Sequence, residues 1–429
     1  MITVGERKQM KYLCTGCGTC AAICPVNAIK MEINYDQFFP VVNTQLCIKC
    51  GKCVNVCPGI SISIRKFADK FYPGAKEDFR LGKFRTTYIG YSNDPQIRFE
   101  ATSGGIATSL AKFLLKNKIV DGVVVTKMCG KNPLIPESFI ARTEEGVISA
   151  KTSKYTPTSP IGVLKEIKSA KETEKFAIIG LPCHIHGLRK LQEIEPWAKK
   201  KIIFSIGLFC GHEVTFSGTK FILERFAKGS KDIESIQWRG RGWPGGISVQ
   251  YKDGKKIDIL HEMYWPPFFS TYFFTPYRCL TCHDLTSELA DISLGDAWLK
   301  EIKEHDNIGT SIIIARSKLG ERILKQMTDE KELTLIEISY TKVIEAQRGI
   351  LARKKIGVGS RMKLFRLLSK PIPNYDQHFG YSRRGIIGAL MIFFSTAFSK
   401  TILGQKILRH IPIKFLIKYR KYMFRFGGV

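Results

Sequence analysis

Two cysteine runs near the start constrain this chain more than any other feature: Cys14-x2-Cys17-x2-Cys20-x3-Cys24-Pro25 and Cys47-x2-Cys50-x2-Cys53-x3-Cys57-Pro58. Each has the spacing of the bacterial-ferredoxin run for a 4Fe-4S cluster. A cubane cluster needs four soft thiolates, and the x2 spacings let one tight turn wrap three of them around a corner. In two-cluster ferredoxins the fourth thiolate of each run serves the other cluster. The pattern therefore assigns Cys14, Cys17, Cys20 and Cys57 to one cluster, and Cys47, Cys50, Cys53 and Cys24 to a second. Pro25 and Pro58 end the local helices. Gly16, Gly18, Thr19 and Gly51 leave backbone N–H groups free to approach sulfur. An intracellular chain of this size has little need of disulfides, and zinc motifs do not use this fourfold spacing. Two neighbouring clusters make an electron relay, so the remaining chain supplies electrons or consumes them.

A chain of 429 residues with 44% hydrophobic residues holds two or three domains with real cores. Its start, MITVGERKQMKYLC, lacks the apolar h-region of a secretory signal. That points to the reducing cytoplasm. The formal charge of +29 is uneven: from Leu351 onward seventeen Lys and Arg face one acid, Asp376, so this last fifth carries +16. An anionic membrane surface, nucleic acid or an acidic redox protein would answer such a charge.

Residues 1–65 form the two-cluster unit, with short strands and turns between the runs and a pseudo-twofold implied by the repeat. Residues 66–86, broken by Pro73-Gly74, have the composition of a linker. From residue 87 to 350 short apolar runs alternate with helical periodicity. Strands are expected at Thr87–Tyr91, 119–125, Phe176–Gly180, Ile202–Leu208, 291–295 and Ser311–Ala315, and helices at 106–115 and 319–327. Continuous apolar runs fit strands covered on both faces. The alternation argues for an α/β architecture beside the α+β ferredoxin-like unit. Residues 351–429 form a basic, partly apolar helical tail. Within it, GIIGALMIFFSTAFS at 385–399 is uncharged but shorter than the roughly 20 residues of a spanning helix. With IKFLIKYRKYMFRF following, a helix lying in the cytoplasmic face of the membrane is expected. The competing reading is a buried core helix followed by a solvated tail. Basic residues interleaved with long aliphatics, without a recognised binding motif, argue against nucleic acid.

A second redox centre is expected at the carboxyl ends of the strands, where open α/β sheets place their ligands. Cys183 follows one strand in GLPCHIHGL, Cys210 follows the next in GLFCGH, and Cys279-x2-Cys282 precedes a third. With Cys129 set aside, these four suffice for a third 4Fe-4S cluster. Buried cysteines also occur as small hydrophobes, and a CxxC can be redox-active by itself. His184, His186, His212 and His283 stand close by as further ligands or proton donors. Ser103-Gly104-Gly105 at a strand-to-helix turn is a natural phosphate cradle, or only a turn. Arg239-Gly240-Arg241-Gly242 could clamp an anion, or form a hairpin loop with solvated arginines. No catalytic residue is assigned.

These pieces resemble the beta-subunit family of coenzyme F420 hydrogenases and dehydrogenases. The resemblance runs over residues 87–340: SGG at 103–105, VDGVVV at 120–125, TSKY at 152–155, GLPC at 180–183, the Cys210 strand and CLTCHDLTSELADISLGDAW at 279–298. It implies FAD in this region, with Ser103, Gly104 and Gly105 at the flavin and Lys154 and Tyr155 nearby. It also implies that Cys183, Cys210, Cys279 and Cys282 hold the adjacent cluster. The tail lies outside it.

The expected protein is an iron–sulfur flavoprotein oxidoreductase. A ferredoxin-type relay exchanges electrons with a donor or acceptor protein, such as ferredoxin or a hydrogenase or dehydrogenase subunit, and FAD reduces or oxidises an organic substrate. Alternatives are the input subunit that oxidises reduced coenzyme F420, and a non-catalytic electron-transfer subunit of a membrane-associated complex. The expected location is cytoplasmic, with the tail peripheral at the inner face of the cell membrane.

Overall fold

Four parallel strands stand at the centre of an eight-stranded sheet, as the β-branched runs require: Gly122–Met128, Phe176–Gly180, Ile202–Leu208 and Ile292–Asp296. Antiparallel strands complete both edges, Pro136–Ala141 on one side and Ser311–Ala315, Thr86–Ser92 and Leu333–Glu337 on the other. The computed structural model describes residues 3–6 and 8–426. The chain is a mixed α/β protein in which helices cover both faces of this sheet. Helix Ile106–Lys116 packs with Val123, Val125, Phe204, Ile206 and Ile313 on one face. Helix Pro182–Ile194 packs with Val124, Phe176 and Ile178 on the other. Both faces are dry, so the central strands need no polar alternation.

The ferredoxin-type unit shows its repeat in backbone conformation. Gly18 and Gly51, at φ 87° and 74°, open the short helices Thr19–Ile23 and Lys52–Asn55. Gly16 and Lys49 occupy matching left-handed positions at φ 70° and 53°. Between the runs, Ile29–Asn34 and Gln37–Val42 form an antiparallel hairpin. Its two turn residues, Tyr35 and Asp36, both have positive φ, as a tight two-residue hairpin requires.

This unit sits directly on helix Pro182–Ile194. A Cβ at Gly187 would collide with Thr19 Oγ1 and come within 3.6 Å of Cys17 Sγ, so only glycine allows the approach. Ile161 N–H donates to Cys17 O at 3.1 Å. Lys190 Nζ donates to Cys57 O and Ser61 O at 3.2 and 2.8 Å. Asp36 receives Ser217 N–H at 2.8 Å.

Two stretches behave differently from their composition. Residues 66–86 are ordered: helix Ile64–Phe71 and the hairpin Lys76–Asp78/Gly82–Phe84 pack on the body, with Leu81 and Phe84 buried. Phe84 joins a cluster with Leu285, Ile312 and Val343, and such apolar burial holds the segment down. The tail is also part of the core. Helices Val358–Leu367, Arg383–Phe398 and Ile413–Phe426 bury Phe365, Ile392 and Met423 against Tyr272 and Leu280. No helix among the described residues is long and apolar enough to cross a membrane, and Arg383–Phe398 bends by 101° into Ile402–His410.

Between residues 211 and 278 lies a three-stranded antiparallel sheet, Ile233–Trp238, Gly246–Tyr251 and Lys256–Leu260. The Arg239–Gly245 loop joins its first two strands, so the hairpin reading of that loop holds.

Candidate functional site

The carboxyl edge of the parallel strands gathers the residues singled out in the sequence. Cys183 begins the helix after Phe176–Gly180, Cys210 follows Ile202–Leu208, and Asp296 ends Ile292–Asp296. Ser103 lies at the same edge, where its Oγ donates to Thr310 O at 2.9 Å beside the start of Ser311–Ala315.

In the ferredoxin-type unit Cys14, Cys17, Cys20 and Cys57 are buried and close enough to act on one another electrostatically. Burial, with the neighbouring sulfurs, pushes Cys14 and Cys20 well up, and Cys57 to about 11. Gly16 N–H approaches Cys14 Sγ at 3.4 Å, and Thr19 Oγ1 lies 3.1 Å from Cys17 Sγ. Such donors favour the thiolate that iron requires. Of the other set, Cys53 is buried, Cys24 and Cys47 are half-buried and Cys50 is exposed. Ala28 N–H donates to Cys24 Sγ at 3.2 Å. None of the thirteen cysteines is in a disulfide. Among the described residues no three of His, Cys, Asp or Glu close on a single ion.

Cys183, Cys210, Cys279 and Cys282 form a third group, in which Cys183 feels Cys210 and Cys279, and Cys210 feels Cys279 and Cys282. Burial raises Cys183 and Cys210 well above the ordinary thiol value and Cys279 to about 11. Cys183 also feels Cys17, so this group adjoins the buried ferredoxin set. The surroundings hold two buried cations beside the buried Glu213, whose carboxyl is raised by burial to about 8. Arg278 is buried with Nε and Nη1 unpartnered, and Lys354 is 2% exposed. Buried cations call for a buried anion, a need that four thiolates on a cluster would meet. The histidines take other roles. His186 Nε2 pairs with Asp284 Oδ2 at 2.9 Å, and His184 Nδ1 accepts Leu181 N–H at 3.1 Å. His283 Nδ1 meets the Gln377 side chain at 3.1 Å. Burial holds His184 near 3 and His212 near 4, both neutral at pH 7.

The SGG turn is tightly built. A Cβ at Gly104 would meet Gly90 O at 2.5 Å and Ser311 N at 2.9 Å, and Gly105 has φ 78°. Gly104 N–H is already committed to Ser311 Oγ at 3.0 Å. Helix Ile106–Lys116 has no side-chain cap, so no capping side chain claims its first N–H groups. Lys154 turns its ammonium to the carbonyls of Ala150, Lys151 and Thr152, the last two at 2.9 Å. Burial lowers it to about 7. Tyr155 instead points into an aromatic cluster, 4.8 Å from Trp265 and 5.5 Å from Trp238.

Arg239 is not solvated. It binds Asp296 through both terminal nitrogens, Pro244 O at 2.8 Å, Thr102 O at 2.9 Å and Tyr155 Oη at 3.3 Å. Arg241 pairs with Asp258 at 2.8 Å. Both charges are therefore spent within the protein. A wall of rings that the sequence did not announce runs alongside. Trp243 meets Trp298 at 4.4 Å, His261 lies 6.2 Å from Trp298 and 6.0 Å from Trp265, and Trp265 stacks on His212 at 6.0 Å. His212 is two residues from Cys210, so the wall connects the third cysteine group with the SGG edge. Two surface cavities, of about 290 and 520 Å3, lie elsewhere, against Lys66, Lys190 and Tyr375 and against Met362 and His378. Neither touches the residues of this edge.

Comparisons with known proteins bear on the family and the fold. Residues 87–165 match the family model for the N-terminal part of the coenzyme F420 hydrogenase/dehydrogenase beta subunit, and residues 173–341 match the model for its C-terminal part. Residues 8–65 match a 4Fe-4S dicluster domain. The chain belongs to the coenzyme F420 hydrogenase/dehydrogenase beta-subunit family. It is an oxidoreductase of that family with a 4Fe-4S ferredoxin-type domain at its N-terminal end. The coenzyme F420 hydrogenase subunit beta of Methanothermobacter thermautotrophicus is 27% identical over 296 residues, covering 65% of this chain and 98% of the relative. The coenzyme F420-dependent sulfite reductase of Methanocaldococcus jannaschii is 29% identical over 354 residues, covering 78% of this chain and 49% of that protein. A chain of the F420-reducing [NiFe] hydrogenase complex from Methanosarcina barkeri shares the fold, with a TM-score of 0.55 at 23% identity over 70% of this chain and 99% of that one.

Proposed function

We propose that this family member is an iron–sulfur flavoprotein that exchanges electrons with a protein partner at its exposed cysteine set and acts on an organic substrate at the SGG edge. Cys47, Cys50, Cys53 and Cys24 would hold the outer cluster, Cys14, Cys17, Cys20 and Cys57 the inner one, and Cys183, Cys210, Cys279 and Cys282 a third. FAD would lie between the SGG turn and the aromatic wall. Bound clusters supply one-electron steps, and FAD joins these to a two-electron substrate.

The observation that carries this reading is the continuity of the path. Exposed Cys50 neighbours Cys53, which acts on Cys20 of the buried set, Cys17 adjoins Cys183, and His212, two residues from Cys210, stacks on Trp265 of the aromatic wall, whose Trp243 bonds Asp296 at the same sheet edge. The residues support it individually. Tyr155, Trp243, Trp265 and Trp298 offer flat apolar surface to a ring system. The uncapped start of helix Ile106–Lys116 offers N–H groups to a pyrophosphate, while Lys154, facing main-chain carbonyls, braces the TSKY turn. Half-buried His212 and His261, both lowered to about 4 by desolvation, are neutral and can donate or accept single hydrogen bonds.

Coenzyme F420 is the substrate named in the relatives, and oxidation of its reduced form is the alternative direction. A hydrogenase or dehydrogenase subunit, or ferredoxin, is the proposed partner. The tail adds an anionic membrane surface, because Ile387, Leu390 and Phe394 form an exposed apolar stripe on a basic segment.

Iron, sulfide and flavin analysis of anaerobically purified protein tests the reading. About twelve irons and one FAD per chain are expected. Eight irons without flavin would overturn the flavoenzyme reading and leave an electron-transfer subunit.

A further inference from the structure

The family match ends at residue 341, yet the chain beyond it helps to enclose the third cysteine group. Ile350 packs against Gly211, the neighbour of Cys210, at 3.7 Å from where a Cβ there would lie. Ala352–Ile356 then forms one turn of π-helix, a distortion that often marks functional sites. Arg361 donates from Nε to Leu280 O at 2.5 Å and from Nη2 to Arg353 O at 2.8 Å. Tyr375 Oη donates to Thr281 O at 2.9 Å. Leu280 and Thr281 are the two residues between Cys279 and Cys282, so this segment is fastened to the loop that carries both.

Two adjacent lysines of the π-helical turn are buried there. Lys355 is neutralised by Glu288, its Nζ paired with Oε1. Lys354 forms no ion pair among the described residues. The sulfurs of Cys282, Cys210 and Cys279 are the foremost ionisable neighbours of its ammonium. A buried ammonium without a carboxylate is costly unless another anion faces it. A 4Fe-4S cluster on four thiolates is such an anion, and one-electron reduction makes it more negative.

We propose that Lys354, from outside the family's matched region, is the fixed counter-charge of the third cluster and raises its reduction potential. The inference rests on the third-cluster reading above. The tail is then a tuning element that this chain adds to the redox path.

The test uses the full chain, purified anaerobically, as parent, Lys354→Met and Lys354→Arg. Iron and sulfide are counted, and each cluster is titrated with dithionite and mediators under electron paramagnetic resonance. All three proteins are expected to hold about twelve irons. In Lys354→Met the third cluster should be about tenfold harder to reduce, about 59 mV for a one-electron couple. Lys354→Arg should stay near the parent, and the two ferredoxin-type signals should not move. Loss of four irons in Lys354→Met with retention in Lys354→Arg also supports the counter-charge. An unmoved potential in Lys354→Met, an equal shift in Lys354→Arg, or loss of the cluster in both would overturn it. Eight irons in the parent would instead sink the third cluster itself, and the inference with it.

Discussion

Arg239 and Asp296 form a bidentate ion pair at the carboxyl edge of the sheet, with Nη1 to Oδ2 at 2.9 Å and Nη2 to Oδ1 at 3.1 Å. The pair ties the three-stranded sheet to the central one, and Arg239 extends it to Thr102 beside the SGG turn. Burial raises the Asp296 pKa, but Arg239 and Trp243 Nε1 outweigh burial and hold it below the usual carboxylate range. Between the depressed folded value and the ordinary value of about 3.9 the unfolded chain binds more protons, so this stabilisation is present above about pH 4 and lost as pH falls. Asp296→Asn, which leaves Arg239 buried without its anion, should cost about 3–5 kcal/mol at pH 7. Urea titrations from pH 7 down to 3 check this: the gap between parent and variant should narrow toward acid, and a constant gap would contradict the account.

Gly187 holds the ferredoxin-type unit against the sheet domain. Gly187→Ala drives a methyl into Thr19 and should cost about 1–3 kcal/mol, more than the helix propensity that alanine adds. Thr19→Ala in the same chain removes the colliding hydroxyl and should recover most of the loss. Denaturation midpoints of the two single variants and the double variant measure the coupling. Additive effects would mean that the two residues do not meet in solution.

The crossed use of the fourth cysteines gives a spectroscopic prediction. Cys57→Ala should abolish the same cluster signal as Cys20→Ala, whereas Cys24→Ala should abolish the one lost in Cys53→Ala. Pairing of Cys57 with Cys53 instead would reverse the assignment.

Membrane binding is best tested on the surface, because the tail contributes Phe365, Ile392 and Met423 to the core and its removal would unfold more than it probes. Replacing Ile387, Leu390 and Phe394 together with Gln leaves the buried side of Arg383–Phe398 intact. Flotation with vesicles containing anionic lipid should fall at least tenfold, since each apolar side chain buried contributes on the order of 1.5–3 kcal/mol. Unchanged flotation would exclude this stripe as the contact.

Much of this was legible in the chain itself, for physical reasons. Phe176–Gly180 and Ile202–Leu208 lie within a residue of expectation because strands buried on both faces need unbroken apolar runs. The cysteine spacings encode a local wrap that needs no tertiary information. The aromatic wall was not legible. His212, Trp243, His261, Trp265 and Trp298 are scattered over nearly ninety residues, and only the fold brings them together. Nor was the inward turn of Arg239 onto Asp296, in a Gly-rich loop that reads equally as an anion clamp or as a hairpin with solvated arginines. The tail misled in the same way: a basic composition concealed Lys354, Lys355 and Arg361 as buried residues, because charge in sequence says nothing about the anions that face it in space.

The graded burial of the cysteines has a consequence for handling. Cys50 stands in solvent while Cys14, Cys17, Cys20 and Cys57 are covered. If the outer set carries the partner contact proposed above, the thiolates a partner would reach are also the ones that oxygen and chelators would reach first, so damage in air should begin at Cys50 before it reaches the covered set.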